Sequence, residues 1–188
     1  MLFLHVCCAP CALPIVEKNK DLILYFFNPN IYPEEEYSKR LKELEKVALI
    51  LNLKIHPGEY NHSQWLSFIK KELPGKPQDY KENKERCLVC FKFRLEQTAL
   101  FAKTHGFNEF ATTLSLSRYK DVKFINEYGG LLAKKYGLRY KTFSFDLEKN
   151  HQRSLELSKK LNLYRQKYCG CEFSNPNKMT YKKLKKSK

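Results

Sequence analysis

Seven cysteines stand in three close groups, Cys7-Cys8-x-x-Cys11, Cys87-x-x-Cys90 and Cys169-x-Cys171, near the start, middle and end of a 188-residue chain. Isolated structural cysteines have no reason to gather at such spacing, whereas a metal centre or a dithiol redox pair requires it. The chain is long enough for one well-packed domain and short for two. If the groups share one purpose, that single domain must bring its two ends and its middle to one place.

The hydrophobic pattern predicts strand and helix in alternation. Residues 2–6 and 22–27 are short apolar runs that read as buried strands, the second cut off by the turn signal Asn28-Pro29-Asn30. From Pro33 the period changes: Tyr37, Leu41, Leu44, Val47, Ala48 and Leu51 predict an amphipathic helix opened by Glu34–Glu36. A strand over 53–55 and a helix over 65–73 follow. The polar stretch 74–86 reads as a loop or lid. Helix is expected over 88–105, closed by Gly106, then strand 110–114, helix 122–136 ending at Gly137, strand 140–145 and helix 154–163. This order predicts a single Rossmann-like, three-layer α/β domain with a mainly parallel sheet over residues 1–177, and a lysine-rich tail at 178–188. Such sheets bind ligands beyond the carboxyl ends of their strands, where Cys7 and Cys8 fall and Thr112–Ser117 follow a later strand.

Cys87-x-x-Cys90 opens a helix, so two thiolates there can grip one metal, helped by the helix N-terminus. Adjacent Cys7 and Cys8 cannot easily close a disulfide on each other, but their diverging side chains can serve one centre. Together the four supply enough thiolates for a [4Fe–4S] cluster or a structural Zn²⁺, and spacing does not choose between them. Cys8-x-x-Cys11 alternatively reads as a thioredoxin-like pair, a weaker reading that leaves Cys11 a spare thiol or a ligand to a further ion. Cys169-Gly170-Cys171 has little chain between its sulfurs, and Gly170 gives freedom for a readily reduced disulfide. That pair is therefore a candidate reductant, two more cluster ligands being the alternative. His5 is a candidate metal ligand or proton donor, or a hydrogen-bonded core histidine. Arg86, Arg94 and Arg165 either bind phosphate or pair at the surface. Thr112, Thr113, Ser115 and Ser117 contact a polar ligand or cap the next helix.

Lys+Arg 35 against Asp+Glu 20 leaves a net charge of +15, which points to a polyanion such as nucleic acid or to a solvated basic surface. No run approaches the ~18 apolar residues of a membrane span, and the first residues are not expected to act as a signal peptide. A cytoplasmic location is expected, where reduced thiols serve as ligands and catalysts rather than as staples. No Gly-rich phosphate loop follows the first strand, which argues against a nucleotide-binding, sulfur-inserting tRNA enzyme. A zinc-stabilised RNA-binding module is the other alternative.

The motifs together resemble the cobalamin-independent epoxyqueuosine reductase family, QueH. The matching pieces are His5-x-Cys-Cys-Ala-Pro, Asn28-Pro29-Asn30-Ile31-x-Pro33 with Glu36-Tyr37 and Arg40, and Arg86-Cys87-x-x-Cys90-Phe91 with Arg94-Leu95. Thr112-Thr113-Leu114-x-x-Ser117-x-Tyr119-Lys120 and Tyr164-Arg165-Gln166-x-Tyr168-Cys169-Gly170-Cys171 complete an ordered set over residues 5–173. The resemblance implies deoxygenation of the epoxide of epoxyqueuosine in tRNA to a cyclopentene, the last step of queuosine formation. It implies a [4Fe–4S] cluster on Cys7, Cys8, Cys87 and Cys90, an additional iron beside it, Cys169 and Cys171 as a redox-active disulfide pair, and an external electron donor. Cys11 stands where some relatives carry Asp, and the lead-in 81–85 to Arg86 is less acidic than the family pattern.

Overall fold

The structure is a computed structural model that describes residues 1–144 and 146–174. In chain order the elements are β1 (Leu2–His5), α1 (Ala9–Val16), β2 (Leu22–Phe26), α2 (Glu34–Ile50), β3 (Lys54–Pro57) and α3 (His62–Glu72). They continue with α4 (Glu85–Thr104), β4 (Glu109–Thr112), α5 (Val122–Tyr136), β5 (Arg139–Tyr140) and α6 (Leu147–Lys160). The five strands form one sheet in the order β3-β2-β1-β4-β5, and every pairing is parallel.

The central strand β1 is buried along its whole length, as an unbroken apolar run in a parallel sheet requires. Its side chains alternate between two cores. Leu2, Leu4 and Val6 join α1 and α2 on one face, while Phe3 meets Tyr25, Phe110 and residues of α4 and α5 on the other. Helices therefore cover both faces, giving the three layers expected. The order reverses between β2–β1 and β4, so the crevice opens at the carboxyl ends of β1 and β4.

The sequence reading omitted α1, because Pro10 and Pro14 look like breakers. Pro10 falls in the first turn, where no N–H is needed, but Pro14 lies inside the helix and cannot donate to the Pro10 carbonyl. Ser154 of α6 supplies that donor instead, its Oγ 2.7 Å from Pro10 O. α6 begins seven residues before the expected start, since Asp146 accepts from the amides of Glu148 and Lys149 and caps a polar first turn. The last strand is short: only Arg139–Tyr140 pair with β4, and Phe145 lies outside the described residues. The tail at 178–188 and the boundary at 177 lie outside them too. No helix of the described residues is long and apolar enough to cross a membrane.

Candidate metal and redox site

Three segments reach the crevice. β1 stops at His5, and the chain turns through Cys7 and Cys8 into α1. Thr113, just beyond β4, fixes Cys7 twice: its Oγ1 accepts from the Cys7 amide at 3.0 Å and donates to the Cys7 sulfur at 3.3 Å. Cys8 is the extended N-cap of α1, and the first helical turn carries Cys11 back over it, with the two sulfurs 2.9 Å apart. The Cys7 and Cys8 sulfurs are 3.9 Å apart, and all three ligand atoms lie within 4.8 Å of one another. Cys11 thus joins Cys7 and Cys8 in a close thiol triad among the described residues, where the sequence left it a spare thiol or a ligand to a further ion.

The three thiols perturb one another. Hydrogen bonds from Cys11 and Cys8 hold the Cys7 thiol well below its usual range. The same bonds, to Cys7 and then Cys8, push Cys11 well up. At Cys8 the contact with Cys11 pulls down, but the Cys7 contact, burial and the Cys7 charge prevail and raise it to about 12. A metal that displaces the thiol protons meets three sulfurs already held together.

Cys87 and Cys90 occupy the first turns of α4, which starts slightly earlier than expected. The Cys87 sulfur accepts the Asn83 amide at 3.1 Å. Burial raises both thiols, Cys90 to about 11.

Cys169 and Cys171 are brought in by the segment after α6. Ile31 and Cys171 form an isolated antiparallel bridge, and Tyr32 N donates to Gly170 O at 2.9 Å. Arg40 of α2, only 2% exposed, donates from Nη1 to Cys169 O at 2.9 Å while its Nε pairs with Glu36 at 2.7 Å. Gly170 has φ +105°, a conformation open to glycine. Burial pushes Cys171 up to about 12.

All seven cysteines line one cavity of about 880 Å³. Basic side chains line it with them. Arg86 and Arg94 are 3% and 1% exposed, and among the described residues neither meets a carboxylate in an ion pair. Arg86 instead donates to the carbonyls of Pro77 and Tyr80, fastening the 74–84 loop over the cavity. Arg94 donates to the Asn28 side chain, whose amide in turn holds Val6 O at 2.9 Å just before Cys7. Arg165 bonds to Ser154 and Ser158 within α6. At Lys120 burial pulls the ammonium down, yet the nearby sulfurs of Cys169, Cys7 and Cys11 outweigh it and raise its pKa. The sequence reading gave Lys120 no role; its place three residues beyond Ser117, in the Ser117-x-Tyr119-Lys120 motif, was the available signal.

His5 resolves to the core reading. Its Nε2 donates to Phe27 O at 3.0 Å, and Nδ1 accepts from Thr112 Oγ1 at 2.7 Å. Burial and nearby Arg94 lower its pKa to about 3, so it is a neutral structural group. Thr112 also caps the turn after β4 through the Leu114 amide, and Ser115 bonds back to Thr112 O. Of the hydroxyls in that segment, Thr113 touches a cysteine.

The fold and this site define a Rossmann-like α/β protein whose thiol-lined, basic cavity can hold a metal. A sequence model described as "Epoxyqueuosine reductase QueH" matches residues 2–177. Proteins named Epoxyqueuosine reductase QueH are similar over 92% of this chain. That of Thermotoga maritima is 37% identical over 179 residues, 89% of its own length. Those of Staphylococcus epidermidis and Haemophilus influenzae are each 35% identical, over 75% and 71% of their lengths. The chain belongs to the epoxyqueuosine reductase QueH family.

Proposed function

We propose that this protein is an epoxyqueuosine reductase of the cytoplasm, removing the epoxide oxygen of epoxyqueuosine in tRNA to leave queuosine. The observation that carries this reading is the meeting of all seven cysteines at one cavity beyond the carboxyl ends of the sheet. A [4Fe–4S] cluster on Cys7, Cys8, Cys87 and Cys90 fits the donor set. Four thiolates make an anionic centre, and the cavity offers buried arginines without carboxylate partners to balance it. Cys11, within 4.8 Å of Cys7 and Cys8, is the natural ligand for an additional iron. When bound, such a centre supplies electrons singly and Lewis acidity towards an epoxide oxygen.

The chain's own residues account for the rest. Cys169 and Cys171 release two protons and two electrons as their S–S bond forms. The substrate takes both, its two C–O bonds break, a C=C bond forms, and oxygen leaves as water. An external donor then returns the disulfide to the dithiol. Lys120 holds a proton at Nζ on the Cys7, Cys11 and Cys169 side of the cavity, and His5 takes no part. The basic surface grips the tRNA backbone, while the modified base turns out into the cavity.

Anaerobic incubation with epoxyqueuosine-containing tRNA and a strong reductant, followed by nucleoside mass analysis, tests the reading. Queuosine is expected. An unchanged epoxide in brown, iron-loaded protein would refute it, and colourless zinc-loaded protein would point to an RNA-binding module.

A further inference from the structure

Five buried side-chain polar atoms find no hydrogen-bond partner among the described residues: Asn30 Oδ1, Trp65 Nε1, Arg86 Nε, Arg94 Nε and Asn150 Oδ1. All five residues line the thiol cavity. A buried polar group left unpaired costs about 1–3 kcal/mol, so their concentration in one place marks groups that a ligand satisfies.

The five divide by chemistry and by position. The donors come from α3 and α4, the wall that carries Cys87 and Cys90. Trp65 is fully buried, and its ring lies in the same core cluster as Cys90. Donors on that wall suit thiolate and sulfide acceptors. The acceptors lie elsewhere. Asn30 sits in the turn after β2, two residues beyond the Asn28 that holds Val6 O. Asn150 is in the first turns of α6, the helix packed on α1 and tied to it by Ser154. Neither a thiolate nor a sulfide can satisfy a carbonyl oxygen, because all are acceptors.

We infer that Asn150 and Asn30 form the substrate-recognition wall, accepting hydrogen bonds from hydroxyl or ammonium groups beside the epoxide. This rests on the reductase reading and adds residues that determine which modified base is accepted. A site built to pair such donors discriminates against bases that lack them, since binding an apolar base would leave the acceptors buried and unmatched.

Three forms of the protein test it, each with iron and sulfide measured: wild type, Asn150→Leu and Asn150→Asp. Leucine excludes the water that could replace a lost amide, and aspartate keeps the acceptor while dropping the N–H. In anaerobic turnover on epoxyqueuosine-containing tRNA, Asn150→Leu should raise KM at least tenfold, with iron and sulfide unchanged and kcat reduced less. Asn150→Asp should stay within about threefold of wild type in KM. In anisotropy titrations, the Leu variant should lose wild type's preference for tRNA carrying the modified base over the same tRNA without it. Unchanged KM and preference in Asn150→Leu, loss of iron from it, or an Asp variant as poor as the Leu one would overturn the inference. Wild-type protein that leaves the epoxide intact would instead refute the reductase reading itself.

Discussion

Replacing Gly170 with alanine tests how the Cys169–Cys171 segment is held. Two costs add. A φ of +105° strains any residue with a Cβ by about 1–3 kcal/mol. The new Cβ would also lie 2.8 Å from Arg40 Nη1 and 3.1 Å from its Cζ and Nη2. That guanidinium cannot swing aside freely, being buried and tied to Glu36 and to Cys169 O. Moving it gives up a charge-assisted hydrogen bond worth about 1.5–3 kcal/mol. The expected loss is about 2.5–6 kcal/mol. Urea unfolding under argon, followed through the single buried Trp65, measures it. The double variant Arg40→Ala/Gly170→Ala should recover at least about 1 kcal/mol relative to the sum of the singles, because the clash disappears with its partner. A Gly170→Ala protein within about 0.5 kcal/mol of wild type, or strictly additive singles, would refute this account of the loop.

Cys169→Ser and Cys171→Ser should each retain iron and sulfide yet stop multiple turnover, and loss of the cluster in either would overturn their separation from the metal ligands. Ser154→Ala removes the donor to Pro10 O and should cost about 1–3 kcal/mol with faster iron loss, since α1 orients Cys8 and Cys11. Unchanged stability and iron retention would contradict that coupling. Binding of tRNA should weaken with salt, log affinity falling against log salt by about 0.7–0.9 per phosphate contact. A flat response would remove the polyanion role of the +15 charge.

Much of the fold was legible because the local signals agreed. The bounds of α5 match the expectation, fixed by Asp121 accepting the Phe124 amide at one end and by Gly137 at φ +64° at the other. α1 was not legible, because the hydrogen bond that excuses Pro14 comes from Ser154, 144 residues from the Pro10 carbonyl it serves. β5 shortened because only Glu109 and Phe110 of β4 meet it, a tertiary pairing that its own composition does not report. The site followed the same division. Cysteine spacing pointed to Cys7, Cys8, Cys87, Cys90, Cys169 and Cys171, and all six line the cavity. The closeness of Cys11 to Cys8 depended on the unexpected helix. The neutrality of His5 depended on burial and on Arg94, 89 residues away, which its own neighbours do not report. Arg40, whose contact with Cys169 spans 129 residues, carried no local signal of its task.

The claim that sulfurs from two distant segments hold one iron–sulfur centre is tested most directly by anomalous diffraction at the iron edge, on crystals grown without oxygen. The account predicts a compact cluster of iron peaks within bonding distance of the Cys7, Cys8, Cys87 and Cys90 sulfurs, with Cys169 and Cys171 unligated. Iron confined to the Cys7, Cys8 and Cys11 triad, or a zinc signal in its place, would contradict it.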